Sequence, residues 1–163
     1  MIVVADATPL RYLVLIEETG ILPALYDRIL IPPTVLRELS QPRTPPRVQQ
    51  WIAALPGWVQ VQVRAPLGPS PEFPATLGAG EREAITLAEE LHAEVLLIDD
   101  WAGRREAEKR RIPTQGTLGI LSVAATHGLT DLAGAIARLR QTNFRADDKL
   151  IQSILDEHQR RRT

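Results

Sequence analysis

The sequence predicts an α/β fold, a mostly parallel central sheet of about five short strands with helices on both faces. Three observations carry that expectation. Short apolar runs such as "IVVA" (2–5), "RILI" (28–31) and "EVLLI" (94–98) alternate with longer stretches of helical periodicity. Those runs are continuously apolar, as strands buried on both faces are. The chain has 163 residues, 44% of them apolar and 24% charged, which is enough to bury a real core and suits a single domain over 1–163.

Taken in order, "IVVA" is the first strand, and a helix runs from Thr8 to about Glu17. "LPALYD" is a short helix leading into the strand "RILI". "PPTVLREL" (32–39) places proline where a first helical turn tolerates it, with Val35, Leu36 and Leu39 as its apolar stripe. "PRVQQWIAAL" (46–55) is amphipathic, and "WVQVQV" (58–63) alternates like a strand with one wet face. Residues 64–77 carry four prolines and read as a long surface loop. "GEREAITLAEELH" is a helix, "EVLLI" a buried strand, "WAGRREAEKRR" a basic helix and "IPT" (112–114) a fifth strand. "LGILSVAATHGL" and "LAGAIARLRQ" are helices, and a last helix spans 147–159 before a basic tail at 160–163.

Composition narrows the chemistry. The absence of cysteine removes disulfides, thiolate metal sites and thiol nucleophiles. No apolar run reaches the roughly 20 residues of a membrane span, and no basic region precedes the first strand, so a cytoplasmic protein is expected. The net charge is −1, yet residues 1–100 sum to −6 and residues 101–163 to +5. Of the 19 basic residues 17 are arginine, the side chain best shaped for bidentate phosphate contact.

In parallel α/β sheets, ligands bind beyond the carboxyl ends of the strands. Asp6 follows the first strand, Asp99 and Asp100 follow "EVLLI", Glu38 lies one turn into the helix after "RILI", and Glu81 and Glu83 open the helix after the proline-rich loop. Each has a simpler explanation alone: Asp6 as a helix cap, one of Asp99 and Asp100 as another, Glu81 and Glu83 as first-turn charge, Glu38 as a solvated face. Together they would repel one another unless a cation sat among them. Carboxylates with water are the ligands of hard ions such as Mg²⁺ and Mn²⁺, which favours phosphodiester hydrolysis over zinc chemistry.

The stretches "VVADATPL", "ILIPPTVLREL", "LGAGEREAITLA", "LLIDD" followed by "GRREAEKR", and "GTLGILSVAATHGL" occur in this order across nearly the whole chain. In this the chain resembles the PIN domain, and within it the VapC-type toxins. The resemblance implies a three-layer PIN-like fold and a Mg²⁺- or Mn²⁺-dependent endoribonuclease in which a metal-activated water hydrolyses RNA. It implies Asp6 as first acid and Glu38 as second. Glu83 or Glu81 would be the third, and the two lie about 200° apart around a helix. Asp100 or Asp99 would be the fourth, with Thr8 orienting Asp6 or a bound water. It further implies 5′-phosphate and 3′-hydroxyl products, a toxin–antitoxin role with a small antitoxin partner, and a homodimer. The chain departs from the family pattern in having Ile98, where Thr or Ser is common, and Ala7, where threonine is commoner.

Other readings fare worse. "GAGERE" lacks the third glycine of a dinucleotide motif and follows a loop, and no nucleophile elbow supports a serine hydrolase. His92, His127 and His158 fall on or at the ends of helices, and no organic cofactor is expected. The rival is a PIN-like module that binds RNA or protein without turnover. Arg104, Arg105, Lys109 and Arg111 directly follow the last acids and would meet an RNA backbone, although Arg104 and Lys109 do not share a helix face. Aromatics are 4% of residues, so no platform for sequence-specific reading of bases is expected; Trp51 and Trp58 are packing or interface residues, and Trp101 is placed to touch substrate.

Overall fold

The computed structural model describes residues 1–63 and 72–163, so most of the expected proline-rich loop lies outside the described residues. Five strands form one sheet: β1 (Val3–Ala5), β2 (Ile29–Ile31), β3 (Val59–Val61), β4 (Val95–Leu97) and β5 (Thr114–Gln115). Their order is β3-β2-β1-β4-β5, and every pairing is parallel. Between and after them run α1 (Ala7–Leu15), α2 (Ile21–Tyr26), α3 (Pro33–Leu39), α4 (Pro46–Ala53), α5 (Ala79–Glu90), α6 (Trp101–Lys109), α7 (Thr117–Thr126), α8 (Leu132–Arg140) and α9 (Asp148–Arg162).

The strand pleat sorts side chains between two cores. Val3, Ala5, Ile29, Ile31 and Leu97 join one, with apolar residues of α1, α3, α4, α7 and α8. Val4, Leu30, Leu96 and Ile98 join the other, under α5 and α6. Both faces of the sheet are therefore dry, which explains why these strands read as unbroken apolar runs. This is the expected three-layer arrangement. In the register, Val4 pairs with Leu30 on one side and with Leu96 on the other, so β1 is central.

Two expectations need correction. The segment 58–63 is not a strand with one buried face: only Val59 is buried, while Val61 and Val63 are exposed. β3 is an edge strand, and its pairing with β2 ends where the Gln62 amide reaches the Ile31 carbonyl at 2.9 Å. The last helix also does not stop at 159. It continues to Arg162, with Arg161 paired to Glu157 at 2.8 Å one turn back and three arginines in the final turn, where positive charge favours the helix dipole.

Leu97 is fully buried beside Ala5, and it ends β4 just before the acidic pair Asp99–Asp100. Leu97→Ala is expected to lower the unfolding free energy by about 2–5 kcal/mol. Urea titration followed by far-UV circular dichroism would read this as a lower midpoint at unchanged slope.

Candidate functional site

β1 enters its first turn through Asp6, whose amide donates to the Leu97 carbonyl at 2.9 Å and so stays in register with β4. Asp6 stands at the N-cap position of α1, with φ −80° and ψ 169°. A capping carboxylate would accept an amide of the first turn. This one makes no such bond: Asp6 is 2% exposed, and its Oδ1 is buried with no hydrogen-bond partner. Burial is the main force raising its pKa, to about 7, and the carboxylates of Glu81, Glu38 and Asp99 push in the same direction against the neighbouring Ala7 amide.

The three neighbours arrive from three elements. Glu38, on α3, accepts a hydrogen bond from the Gly80 amide at 3.0 Å, and burial and Glu81 raise its pKa. Gly80 leaves room for this contact, because a β-carbon at that position would displace the Glu38 carboxylate. Glu81 caps the start of α5 by accepting the Gly78 amide. Asp99, just past β4, accepts the Thr117 amide at 2.8 Å on Oδ1 and the Thr117 hydroxyl at 2.6 Å on Oδ2. Burial raises the Asp99 pKa, opposed by Thr117 and by the Arg104 guanidinium. Gly116 makes room for this, since a β-carbon there would lie 2.8 Å from Asp99 Oδ1.

The two members of each acidic pair have different surroundings. Glu81, not Glu83, acts on Asp6. Glu83 points to α3, where the Thr34 hydroxyl donates to it at 2.7 Å and Arg37 in turn donates to Thr34 at 2.9 Å. Asp99, not Asp100, acts on Asp6. Asp100 is exposed and caps α6 by accepting the Gly103 amide at 2.8 Å. Thr8 lies half-buried on the first turn of α1. Thr117, Gly80 and Gly116 were not picked out by sequence reasoning, although a "GT" pair opening a helix just after a strand was a readable signal for the first.

Among the described residues, no group of three or more His, Asp or Glu side chains stands close enough to enclose an ion by itself. The donor set nonetheless fits a hard dication that keeps several waters: a dry, unpaired carboxylate oxygen with three further acids raising its proton affinity.

α6 borders the site. Trp101, Arg104, Arg105, Glu108 and Lys109 line an open groove of about 640 Å³ with Asp99. Arg104 and Lys109, expected on different faces, both line it, because the helical spacing 101, 104, 105, 108, 109 spreads over one broad face. Arg111 follows the helix with φ 60° and does not line the groove. Arg110 is bound elsewhere, to Glu106 and Glu89 and over the Phe73 ring.

Compared with known proteins, residues 2–160 match the sequence profile of the family DUF3368, described as a PIN domain. Among solved structures, the chain is similar to a PilT N-terminus domain protein from the hyperthermophilic archaeon Sulfolobus solfataricus, with a TM-score of 0.51 and 16% identity. That likeness covers 90% of this chain and 100% of the other. No curated protein matches.

The buried acid makes a prediction about stability. A carboxyl whose pKa rises from 3.8 to about 7 on folding contributes stability that is fully present below 3.8 and lost as pH climbs through about 7. In metal-free buffer the wild type should lose stability across that window, by up to about 4 kcal/mol. Asp6→Asn should flatten the profile, and denaturant titrations at pH 5 and pH 8 measure both.

Proposed function

We propose, from the premise that the chain belongs to the PIN-domain family, that it is a metal-dependent endoribonuclease. PIN domains are typically nucleases that use divalent metal ions and bind RNA. The observation that carries the reading is the buried Asp6 carboxylate, uncapped, with an unpaired oxygen and three acids about it. A desolvated anion among like charges persists when a cation shares its place.

In this reading Asp6, Glu38, Glu81 and Asp99 hold one or two Mg²⁺ or Mn²⁺ ions. The bound metal would lower the pKa of water for attack on phosphorus and steady the departing 3′ oxygen. The rest falls to the chain. Thr117 and the Gly80 amide fix the Asp99 and Glu38 carboxylates in place. Glu83 braces α5 against α3 through Thr34, and Asp100 fixes the start of α6. Arg104, Arg105 and Lys109 present positive charge to the phosphates of an RNA entering the groove beside Asp99.

The order of motifs shared with VapC-type toxins supports a cytoplasmic toxin role, a small antitoxin as partner and a homodimer. The products would be a 5′-phosphate and a 3′-hydroxyl. A cleavage assay with Mg²⁺, Mn²⁺ or EDTA tests the enzyme. The wild type should cut with metal and stop in EDTA, and Asp6→Asn should lose at least about a hundredfold in rate while keeping its circular dichroism spectrum. Cutting that survives EDTA or Asp6→Asn contradicts the mechanism. A folded protein that binds RNA and never cuts it is the binding module instead.

A further inference from the structure

Trp101 is the first residue of α6, directly after Asp99 and Asp100, and it is 70% exposed. The other two tryptophans pack against each other at 6.1 Å between ring centroids. The indole has one partner on its own helix. Asp100 fixes the first turn of α6 by accepting the Gly103 amide, and the Arg105 guanidinium lies 4.7 Å from the centre of the indole ring, a cation–π contact that backs one face. The largely exposed indole lines the groove together with Asp99, Arg104, Glu108 and Lys109.

A flat π-surface in contact with a cation, beside an arginine and a lysine and directly after the acids, fits one ligand chemistry: a nucleobase whose phosphate meets the basic side chains of the groove. We propose that Trp101, backed by Arg105, is the stacking surface for an unpaired base flanking the scissile phosphate. The inference rests on the nuclease reading for its location and adds to it the residue that positions the strand. A base paired in a helix has both faces covered by its neighbours, so only an unpaired one can lie on the indole. Every base has a π-face, so the contact sets the register of the strand without reading its sequence. One stacking tryptophan is consistent with the low aromatic content, which precludes a multi-base platform.

The experiment measures binding in EDTA, so that turnover plays no part. Fluorescence anisotropy would follow a short labelled single-stranded RNA, its duplex, and a series with one abasic nucleotide moved along the strand. Trp101→Ala should weaken single-strand binding by roughly five- to a hundredfold. Trp101→Phe should recover most of the loss, and duplex binding should hardly change. At one position the abasic RNA should reproduce the loss, with little further loss on combining it with Trp101→Ala. Unchanged affinity in Trp101→Ala overturns the proposal, as does an equal loss for duplex and for every abasic RNA. So does loss of self-association at unchanged RNA affinity, which would assign the indole to a second copy of the chain. A wild type that binds no RNA overturns it as well. Cleavage by the wild type alongside a silent Trp101→Ala defeats this inference alone. Trp101-dependent binding without cleavage under any metal defeats the nuclease reading alone.

Discussion

A carboxylate removed from water is the constraint from which the rest of this site follows. β1 is the middle strand of a sheet covered on both faces, so the residue that leaves it is dry by construction. Asp6 occupies that place at the N-terminus of a helix without making a side-chain capping bond. Placing an unpaired charge there is unfavourable by several kcal/mol, on the order of what the whole fold has to spare. Burial raises the pKa of that carboxyl to about 7, so it keeps its proton on the acid side of neutrality, and a cation would stabilise the anion above it.

The surrounding architecture makes sense around that carboxylate. β1 and β4 end side by side at the point where the strand order turns from one side of the sheet to the other, which is where open α/β sheets accept ligands. α3 brings Glu38, α5 brings Glu81 and the turn after β4 brings Asp99, each close enough to raise the Asp6 pKa. Two glycines permit the close approach, Gly80 against Glu38 and Gly116 against Asp99. Beyond Asp99 the charge changes sign, so that a polyanion drawn to α6 would be led toward the acids.

The fold was readable because the physics that shapes it is local and repetitive. Strands buried on both faces must be apolar throughout, and helices between them must show one apolar stripe, so the five strands and nine helices found among the described residues fall close to their expected places. β3 was misjudged because its alternation of valine and glutamine cannot say that the strand lies at an edge. The acids were legible as a set and ambiguous in pairs. Spacing shows that Glu81 and Glu83 face different ways but not which way is inward. Glu83 has a partner nearly fifty positions away in the sequence, the buried Thr34 of α3, whose hydroxyl donates to it. Likewise, nothing in "DD" tells which aspartate caps the helix. The Gly103 amide takes Asp100, and Thr117, from the other side of β5, takes Asp99.

The central claim is that a cation belongs among Asp6, Glu38, Glu81 and Asp99, and direct binding of Mn²⁺ tests it best. Calorimetric titration of Mn²⁺ into the wild type, Asp99→Asn and Asp100→Asn separates the two adjacent aspartates. The account predicts binding to the wild type, nearly the same binding to Asp100→Asn, and a loss of at least about tenfold in affinity for Asp99→Asn. Binding that survives in Asp99→Asn and fails in Asp100→Asn would contradict it, as would a folded wild type that takes up no Mn²⁺ at all.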